Sequence, residues 1–266
     1  MHRSDDDVVG IGAFLLGLAL VGVLATLLPL QDPLGSDLHS RLLPPSPDHL
    51  FGTDDLGRDL LSRTVHGFST TVLVSVGALL SSLALGIAFG ALAGYWGDGA
   101  VDRIFNWIVS VIMSLPFLLV MAAILSLTRP TIEKAYVILA GIMWVYPARI
   151  VRAEVMKTKA LPYVEAARAL GSTEWRIITK VVLPACIGSA VTFSLSYLPE
   201  IIGLEAGLSF LGLGVQPPDP GLGKMIFDGL SYISSAWWIA LFPAAMLFLL
   251  VLSINAFLMV WRAEHV

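Results

Sequence analysis

Long apolar runs separated by shorter polar segments make up most of this chain. A helix needs roughly 20 apolar residues to cross the hydrocarbon core of a bilayer. The pattern therefore predicts an all-α integral membrane protein with six transmembrane helices in a single domain. The predicted spans cover, approximately, residues 8–30, 71–94, 103–127, 135–151, 185–203 and 237–261.

The polar segments alternate between the two sides of the membrane if the N-terminus is cytoplasmic. Residues 31–66 and 204–236 then lie outside, and residues 153–184 lie inside. Most of the 16 lysines and arginines fall on the inner side, among them Arg3 and Arg262, whereas Arg129 falls on the outer side. Because cytoplasmic loops carry an excess of these residues, both termini are predicted to be cytoplasmic.

Composition indicates that lipid is the solvent. Of the 266 residues 56% are hydrophobic and 14% are charged, with a mean hydropathy of +0.82, whereas soluble domains have roughly 25% charged residues. The net charge of −4 suggests no nucleic-acid partner. A single cysteine, Cys186, excludes a disulfide framework within the chain.

Four of the predicted spans have a proline more than two residues from either end: Pro116, Pro147, Pro199 and Pro243. Proline is tolerated in a span because neighbouring helices and waters satisfy the freed carbonyl groups. The prolines fit either a bundle kinked around a pathway or ordinary kinked packing.

The second predicted span carries Gly86, Gly90 and Gly94 at intervals of four residues. Small residues at this spacing allow close contact between helices. The partner is either another subunit or another helix of this chain, and internal packing is the preferred interpretation.

Residues 161–184 form a charged, amphipathic segment between apolar runs. Pro162 suits a first helical turn. An apolar face is predicted from the positions of Tyr163, Ala166, Ala167 and Leu170. Glu165 and Arg168 lie on the other side. Gly171 is placed to end the helix in a left-handed conformation, and Ser172 to cap the next one.

A second short helix is predicted over about residues 173–182, with Trp175, Ile178 and Val182 on one side. Two helices joined at a glycine make a compact projection, and Ala166 and Ala167 would let a partner approach closely. The alternative is an amphipathic hairpin that lies on the inner leaflet.

The sequence Glu165-Ala166-Ala167, with Gly171 after it and Leu183-Pro184 at the end, resembles the EAA loop of ABC-importer permease subunits. In that family the first helix of the loop is a coupling helix that docks into a cytoplasmic ATPase. The resemblance implies that Glu165 makes polar contacts with the ATPase and that Ala166 and Gly171 shape the fit. The implied coupling residues are Glu165, Ala166, Ala167, Arg168 and Gly171.

Residues 49–67 and 205–226 resemble segments of the dipeptide, oligopeptide and nickel branch of the same family. The resemblance implies the type I importer fold in a bacterial plasma membrane. It implies three partners: a paralogous permease, ATPase subunits that bind ATP and magnesium, and an extracytoplasmic solute-binding protein. Dipeptides or oligopeptides are the first substrate hypothesis, and nickel chelates and haem-like ligands remain open.

Two acidic residues near the fifth span, Glu200 and Glu205, are candidate pathway residues. Ionisable groups inside a span are functional candidates, although Glu200 could instead be hydrated near the outer mouth. Gly223-Lys224 lacks the remaining residues of a phosphate-binding loop. The ATPase is therefore expected to be a separate polypeptide, and the chain is expected to bind no cofactor.

The acidic residues Asp54, Asp55 and Asp59 lack the ligand order of a calcium loop. They are interpreted as a solvated helix start that Thr53 caps. Two other functional classes remain: a self-powered secondary transporter or channel, and an intramembrane enzyme. The first would need intramembrane charges or an inverted repeat, and the second a catalytic pair or metal site within the spans.

Overall fold

The computed structural model describes residues 2–97, 99–127 and 131–265, with side chains described between residues 10 and 261. Within these ranges the regular structure is helical, and one isolated β-bridge joins Thr53 to Asp59. Arg129 and the side chains of Arg3 and Arg262 lie outside the described part. The orientation of the termini therefore stays a prediction.

Twelve α-helices are present in the described ranges. Their bounds are α1 His2–Ala25, α2 Leu60–Tyr95, α3 Ala100–Ser114, α4 Phe117–Ser126, α5 Ile132–Met143, α6 Val145–Thr158, α7 Pro162–Ala169, α8 Glu174–Ile177, α9 Leu183–Leu195, α10 Leu198–Phe210, α11 Leu222–Leu230 and α12 Trp238–His265. A 3₁₀ turn at Leu38–Ser40 and a π-helical segment at Ile178–Val182 complete the list.

In the described part of the chain, four continuous helical stretches are long and apolar enough to cross a membrane. They are Leu60–Tyr95, Ile132–Thr158, Glu174–Leu195 and Trp238–Trp261. Helices α3 and α4 together make a fifth if they count as one span. The apolar part of α1, Gly10–Ala25, is shorter than these. The count of six spans therefore stays a prediction.

Two of the proline positions bear on the predicted spans. The third predicted span is interrupted between α3 and α4, where Pro116 lies, as the sequence indicated. The fifth predicted span begins earlier, at Glu174, and ends at Leu195. Pro199 consequently lies in the first turn of α10, where a missing N–H is tolerated, and not inside that span.

The described residues fall into two compact units. Unit 1 consists of Ala78–Phe117 and Leu139–Tyr197 with the beginning of α1, and unit 2 contains most of the remainder. The core of unit 1 joins the end of α2 to α6, α7 and the Glu174–Leu195 stretch. Its fully buried members include Val151, Val155, Val164, Ile177 and Val182.

Gly86, Gly90 and Gly94 form the contact between α2 and α6 inside unit 1. A Cβ atom at Gly90 would lie 2.4 Å from the carbonyl oxygen of Ala148, and one at Gly94 would lie 2.6 Å from that of Arg152. The two backbones are therefore too close for any side chain at these positions. The interpretation of the glycine pattern as internal packing is confirmed.

Unit 2 has its own core, in which Leu60, Met225, Trp238 and Ile239 pack together. Helix α11 contacts both α10 and α12. A Cβ atom at Gly223 would lie 2.0 Å from the carbonyl oxygen of Ala206 in α10, so this helix pair also packs backbone to backbone.

The acidic cluster lies at a helix start as predicted, but the predictions that it is solvated and that Thr53 caps the helix are wrong. Asp54 is 4% exposed and accepts a hydrogen bond from Arg58 Nε at 2.7 Å. It also forms a salt bridge with Arg63, whose Nε lies 3.3 Å away. The cap of α2 is Asp59, whose carboxylate accepts from the backbone N–H of Ser62 at 2.8 Å. Thr53 instead joins loop segments, because its hydroxyl donates to the carbonyl of Ser40.

The glycine contact predicts opposite effects of two Gly→Ala substitutions. Gly90→Ala should destabilise the chain by roughly 1–3 kcal/mol, since the new methyl group meets backbone. Gly141→Ala in α5 should raise stability by about 0.5–1 kcal/mol, because nothing lies within 4 Å of its Cβ position. Cys186 is buried and is the chain's one cysteine, so a thiol-reactive dye reports unfolding. Equal melting temperatures for Gly90→Ala and the wild type would contradict the backbone contact.

Candidate functional site

Helix α7 has well-defined ends. Leu161 precedes it in an extended conformation and Pro162 occupies the first turn. At the other end Gly171 has φ of +84°, and its N–H donates to the carbonyl of Arg168 at 3.0 Å. The N–H of Ser172 donates to the carbonyl of Ala167 at 3.2 Å. These two bonds form a Schellman motif, so the prediction for Gly171 is confirmed.

The cap of the following helix was assigned to the wrong residue. Thr173, not Ser172, precedes α8 in an extended conformation and accepts from the N–H of Arg176 at 3.4 Å. The predicted short second helix is also not separate. Helix α8 continues through the π-helical segment into α9, so the turn after α7 leads directly into a membrane-length stretch.

Helix α7 packs against the chain through Val164, while most of the predicted apolar face is exposed. Val164 is fully buried in the core of unit 1, whereas Tyr163 is 48% exposed and Leu170 is 87% exposed. Ala166 is exposed and Ala167 is half-buried at the core's edge. Successive helical residues point about 100° apart. Because Val164 faces the core of unit 1, Tyr163 and Leu170 point away from it, and the predicted apolar face is available to another molecule.

The second predicted apolar face, on α8 and the π-helical segment, is only partly buried. Ile178 and Val182 are buried in unit 1, as expected of an apolar face, but Trp175 is 65% exposed. The segment consequently presents four large apolar side chains to its surroundings, from Leu161, Tyr163, Leu170 and Trp175. Glu165 is exposed on the same helix.

Arg168 has a different role from the other predicted coupling residues. Its guanidinium donates to the Glu174 carboxylate, at 2.9 Å from Nε and 3.3 Å from Nη2. The Tyr95 hydroxyl at the end of α2 also donates to Glu174. The Glu174 carboxylate holds the pKa of the Arg168 guanidinium above its ordinary value. Arg168 therefore ties α7 to the start of α8 and, through the carboxylate, to α2.

Two further ionic contacts fix the base of this segment. Lys159 Nζ donates to the carbonyls of Gly94 and Tyr95, both at 3.0 Å, and so caps the C-terminus of α2. The helix dipole also favours the Lys159 ammonium at this helix end. Arg152 forms a bidentate ion pair with Asp102, at 2.5 Å from Nε and 2.8 Å from Nη2.

Sequence reasoning missed Val164, Lys159, Glu174 and Tyr95. Only Val164 left a signal in the sequence, as an apolar residue next to the assigned face. The other three contact partners across 64 or more positions or across the α7–α8 turn, and spacing along one helix contains no information about such pairs.

The two candidate pathway residues are in different environments. Glu200 is exposed in the first turn of α10. Glu205 is 3% exposed, and its carboxylate accepts hydrogen bonds from the hydroxyls of Thr71 and Ser209, each at 2.8 Å. Buried carboxylates are costly unless they are hydrogen-bonded. In this structure Glu205 joins α2 to α10 within unit 2.

The comparison with known families matches the chain over residues 86–263. The matching family is described as binding-protein-dependent transport system inner membrane component. A dipeptide transport system permease protein of Bacillus subtilis (strain 168) is 38% identical over 242 residues, which are 91% of this chain and 75% of that protein. An oligopeptide transport system permease protein of Mycobacterium bovis is 33% identical over 256 residues, which are 95% of this chain and 87% of that one.

Solved structures of ABC transporters have a similar fold. The inward-facing MetNI methionine transporter matches with a TM-score of 0.59 and 24% identity, over 75% of this chain and 95% of that one. An amino acid ABC transporter with histidines matches with a TM-score of 0.57 and 19% identity, over 76% and 94%. The all-α fold expected from the sequence is thus that of ABC-importer permeases.

The Schellman turn predicts that the backbone conformation, and not the room for a side chain, limits which residues can replace Gly171. Nothing lies within 4 Å of a Cβ atom placed there. Gly171→Asn should be tolerated, because asparagine enters the left-handed region with ease. Gly171→Val should weaken the turn by about 1–2 kcal/mol. Hydrogen exchange of the α7 amides measures the difference, and equal exchange in the two variants would refute this explanation.

Proposed function

The chain belongs to the family of binding-protein-dependent transport system inner membrane components, and from this membership we propose that it imports dipeptides or oligopeptides and that α7 couples it to a separate ATPase. The protein is thus a permease subunit of an ABC importer. Membership supports this function over the two alternatives, a self-powered transporter and an intramembrane enzyme.

One observation carries the coupling proposal: α7 is anchored on one side and bare on the other. Val164 fixes the helix to the core of unit 1, while Tyr163, Glu165, Ala166 and Leu170 are exposed. Exposed apolar side chains grouped on one short helix are typical of a protein contact. In the proposed complex this face enters a groove of the ATPase, Glu165 makes the polar contact, and Ala166 lets the backbones approach.

The proposed coupling also needs stiff transmission from α7 to the spans. The Arg168–Glu174 pair and the Tyr95 hydroxyl connect α7 to α8 and α2. Lys159 connects the end of α6 to the end of α2. A displacement of α7 would therefore move these helix ends together. A ligand shifts a conformational equilibrium only if its differential binding energy reaches the moving element.

The substrate proposal rests on the relatives named above, which are dipeptide and oligopeptide permeases. We infer that this chain forms half of the route and a paralogous permease the other half. A solute-binding protein would deliver peptide from outside, with both termini of this chain in the cytoplasm. ATP and magnesium would be bound by the ATPase subunits.

The proposed cycle is alternating access. ATP binding closes the ATPase pair, α7 moves with it, and the spans change from inward-open to outward-open. The binding protein then releases peptide into the cavity, and hydrolysis resets the cycle. In this scheme the chain contributes the route and the mechanical connection, and none of the hydrolytic chemistry.

Glu165→Lys should uncouple transport while the chain remains inserted and folded, because the side chain is exposed and its charge reverses at the proposed contact. We expect a loss of about tenfold or more in the ATPase stimulation caused by peptide-loaded binding protein, a size typical of losing a charged contact. Peptide uptake should fall with it. Glu133→Lys is the control, since Glu133 is exposed at the start of α5. Unchanged stimulation and uptake in Glu165→Lys would exclude the assignment of α7.

Charge exchange tests whether Arg168 positions α7. An exposed ion pair contributes only about 0.2–1 kcal/mol to stability, so Arg168→Glu and Glu174→Arg should leave the melting temperature nearly unchanged. Each should nevertheless lower the ATPase stimulation, and the double exchange should restore most of it. If the double variant is as impaired as the single ones, the pair does not position the helix.

A further inference from the structure

A cavity of about 540 Å³ lies between α6 and α9 within unit 1. This volume is in the range of small-molecule sites, which are roughly 300–1,000 Å³. The side chains in its wall that matter here are Tyr146, Arg149, Glu154, Ser189, Phe193 and Tyr197. The wall thus combines two opposite charges with aromatic rings and a hydroxyl.

The two charges in the wall have no ionic partner among the described residues. Arg149 donates to the thioether sulfur of Met113 at 3.2 Å, which is a weak acceptor, and to no carboxylate in the described part. Glu154 makes neither a hydrogen bond nor an ion pair there. By contrast, Arg152, between them on the same helix, is paired with Asp102. Arg149 is exposed and Glu154 is partly buried, and neither is paired with an opposite charge in the described residues, so both are available to a ligand in the cavity.

Their spacing on α6 suits a short zwitterion. Residues five apart on an α-helix have Cα atoms about 9 Å apart, from the 1.5 Å rise and the 2.3 Å radius. Two extended residues span about 7 Å. Five residues also correspond to about 140° of rotation around the helix, so the two side chains leave α6 in different directions. Both nevertheless line the same cavity, where the two termini of a dipeptide can meet one side chain each.

The remaining wall suits peptide side chains of different kinds. The rings of Tyr146 and Tyr197 have centroids 4.7 Å apart, and that of Phe193 is 5.7 Å from Tyr197. Aromatic surface binds apolar groups without selecting one shape.

We propose that this cavity is a transient subsite for zwitterionic dipeptides, in which Arg149 binds the terminal carboxylate and Glu154 binds the terminal ammonium group. The proposal rests on the proposed function and adds the residues that hold the peptide within the chain. Both contacts are charge-assisted hydrogen bonds, which are about twice as strong as neutral ones.

Photolabelling of the intact complex tests the subsite. The tagged chain is purified with its partner subunits into nanodiscs, without binding protein, so that peptides meet the cavity directly. The probe is a dipeptide of alanine and photoreactive leucine. Competitors are dialanine, N-acetyl-dialanine and dialanine amide. The variants are Arg149→Gln and Glu154→Gln, and Lys157→Gln is the control, because Lys157 is exposed on α6 away from the cavity wall.

The expected result is labelling of α6 and α9 that dialanine suppresses. Each capped competitor should be about tenfold weaker than dialanine in the wild type and in Lys157→Gln, as expected for the loss of one charged contact. In Arg149→Gln the amide should compete as well as dialanine. In Glu154→Gln the acetylated peptide should do so.

Three results would overturn the subsite. Labelling elsewhere, or the same penalties for the caps in all variants, would show that the two charges do not hold peptide. Loss of the second permease from both variant complexes would assign the charges to a subunit contact. If loaded binding protein still stimulates the wild-type ATPase, the subsite alone fails. If the wild-type complex shows neither stimulation nor peptide uptake, the proposed function fails with it.

Discussion

Backbone contact between α2 and α6 is the constraint on which residues 161–184, the proposed coupling segment, depend. Lipid is as apolar as leucine, so helices in a membrane gain little from burying apolar surface and rely on close van der Waals packing. Gly86, Gly90 and Gly94 permit that approach, because any side chain there would overlap α6. With the two helices held so near, Lys159 at the end of α6 reaches the last carbonyls of α2, and Tyr95 reaches Glu174. Without the glycine contact, Lys159, Tyr95 and Glu174 would no longer be held close enough to make these hydrogen bonds.

The asymmetry of α7 follows from this arrangement. The helix has eight residues, which is too short to be stable by itself in water. It exists because Pro162 begins it, Gly171 ends it and Val164 is buried beneath it. Its other side has no such contacts and exposes the apolar Tyr163 and Leu170. A permease that takes its energy from another subunit needs a part with this character: rigid toward its own spans and unoccupied toward the partner.

The charged residues of this chain have two kinds of role: some are satisfied within the fold, and two are proposed to bind ligand. In unit 2, Asp54 is enclosed by Arg58 and Arg63, and Glu205 by the hydroxyls of Thr71 and Ser209. These groups are satisfied by the fold itself, and removing one partner would leave a buried charge unpaired. In unit 1, Arg149 and Glu154 line a cavity without an ionic partner in the described residues. The proposed zwitterionic ligand would supply an opposite charge to each of these two side chains.

Hydropathy, the glycine spacing and the residues 165–171 were sufficient to predict the membrane class, a close helix contact at the glycines of α2, the left-handed turn at Gly171 and the family. All of these are local properties: a span, a GxxxG face and a helix end are each determined within about one or two turns of chain. The buried face of α7, the cap at Thr173, the burial of Asp54 and the α2–α8 connection through Tyr95 could not be predicted in the same way. Each depends on residues that are distant in sequence or on the rotation of a helix against its neighbours. That rotation is decided by packing, because several faces of a short amphipathic helix are almost equally apolar until a core selects one of them.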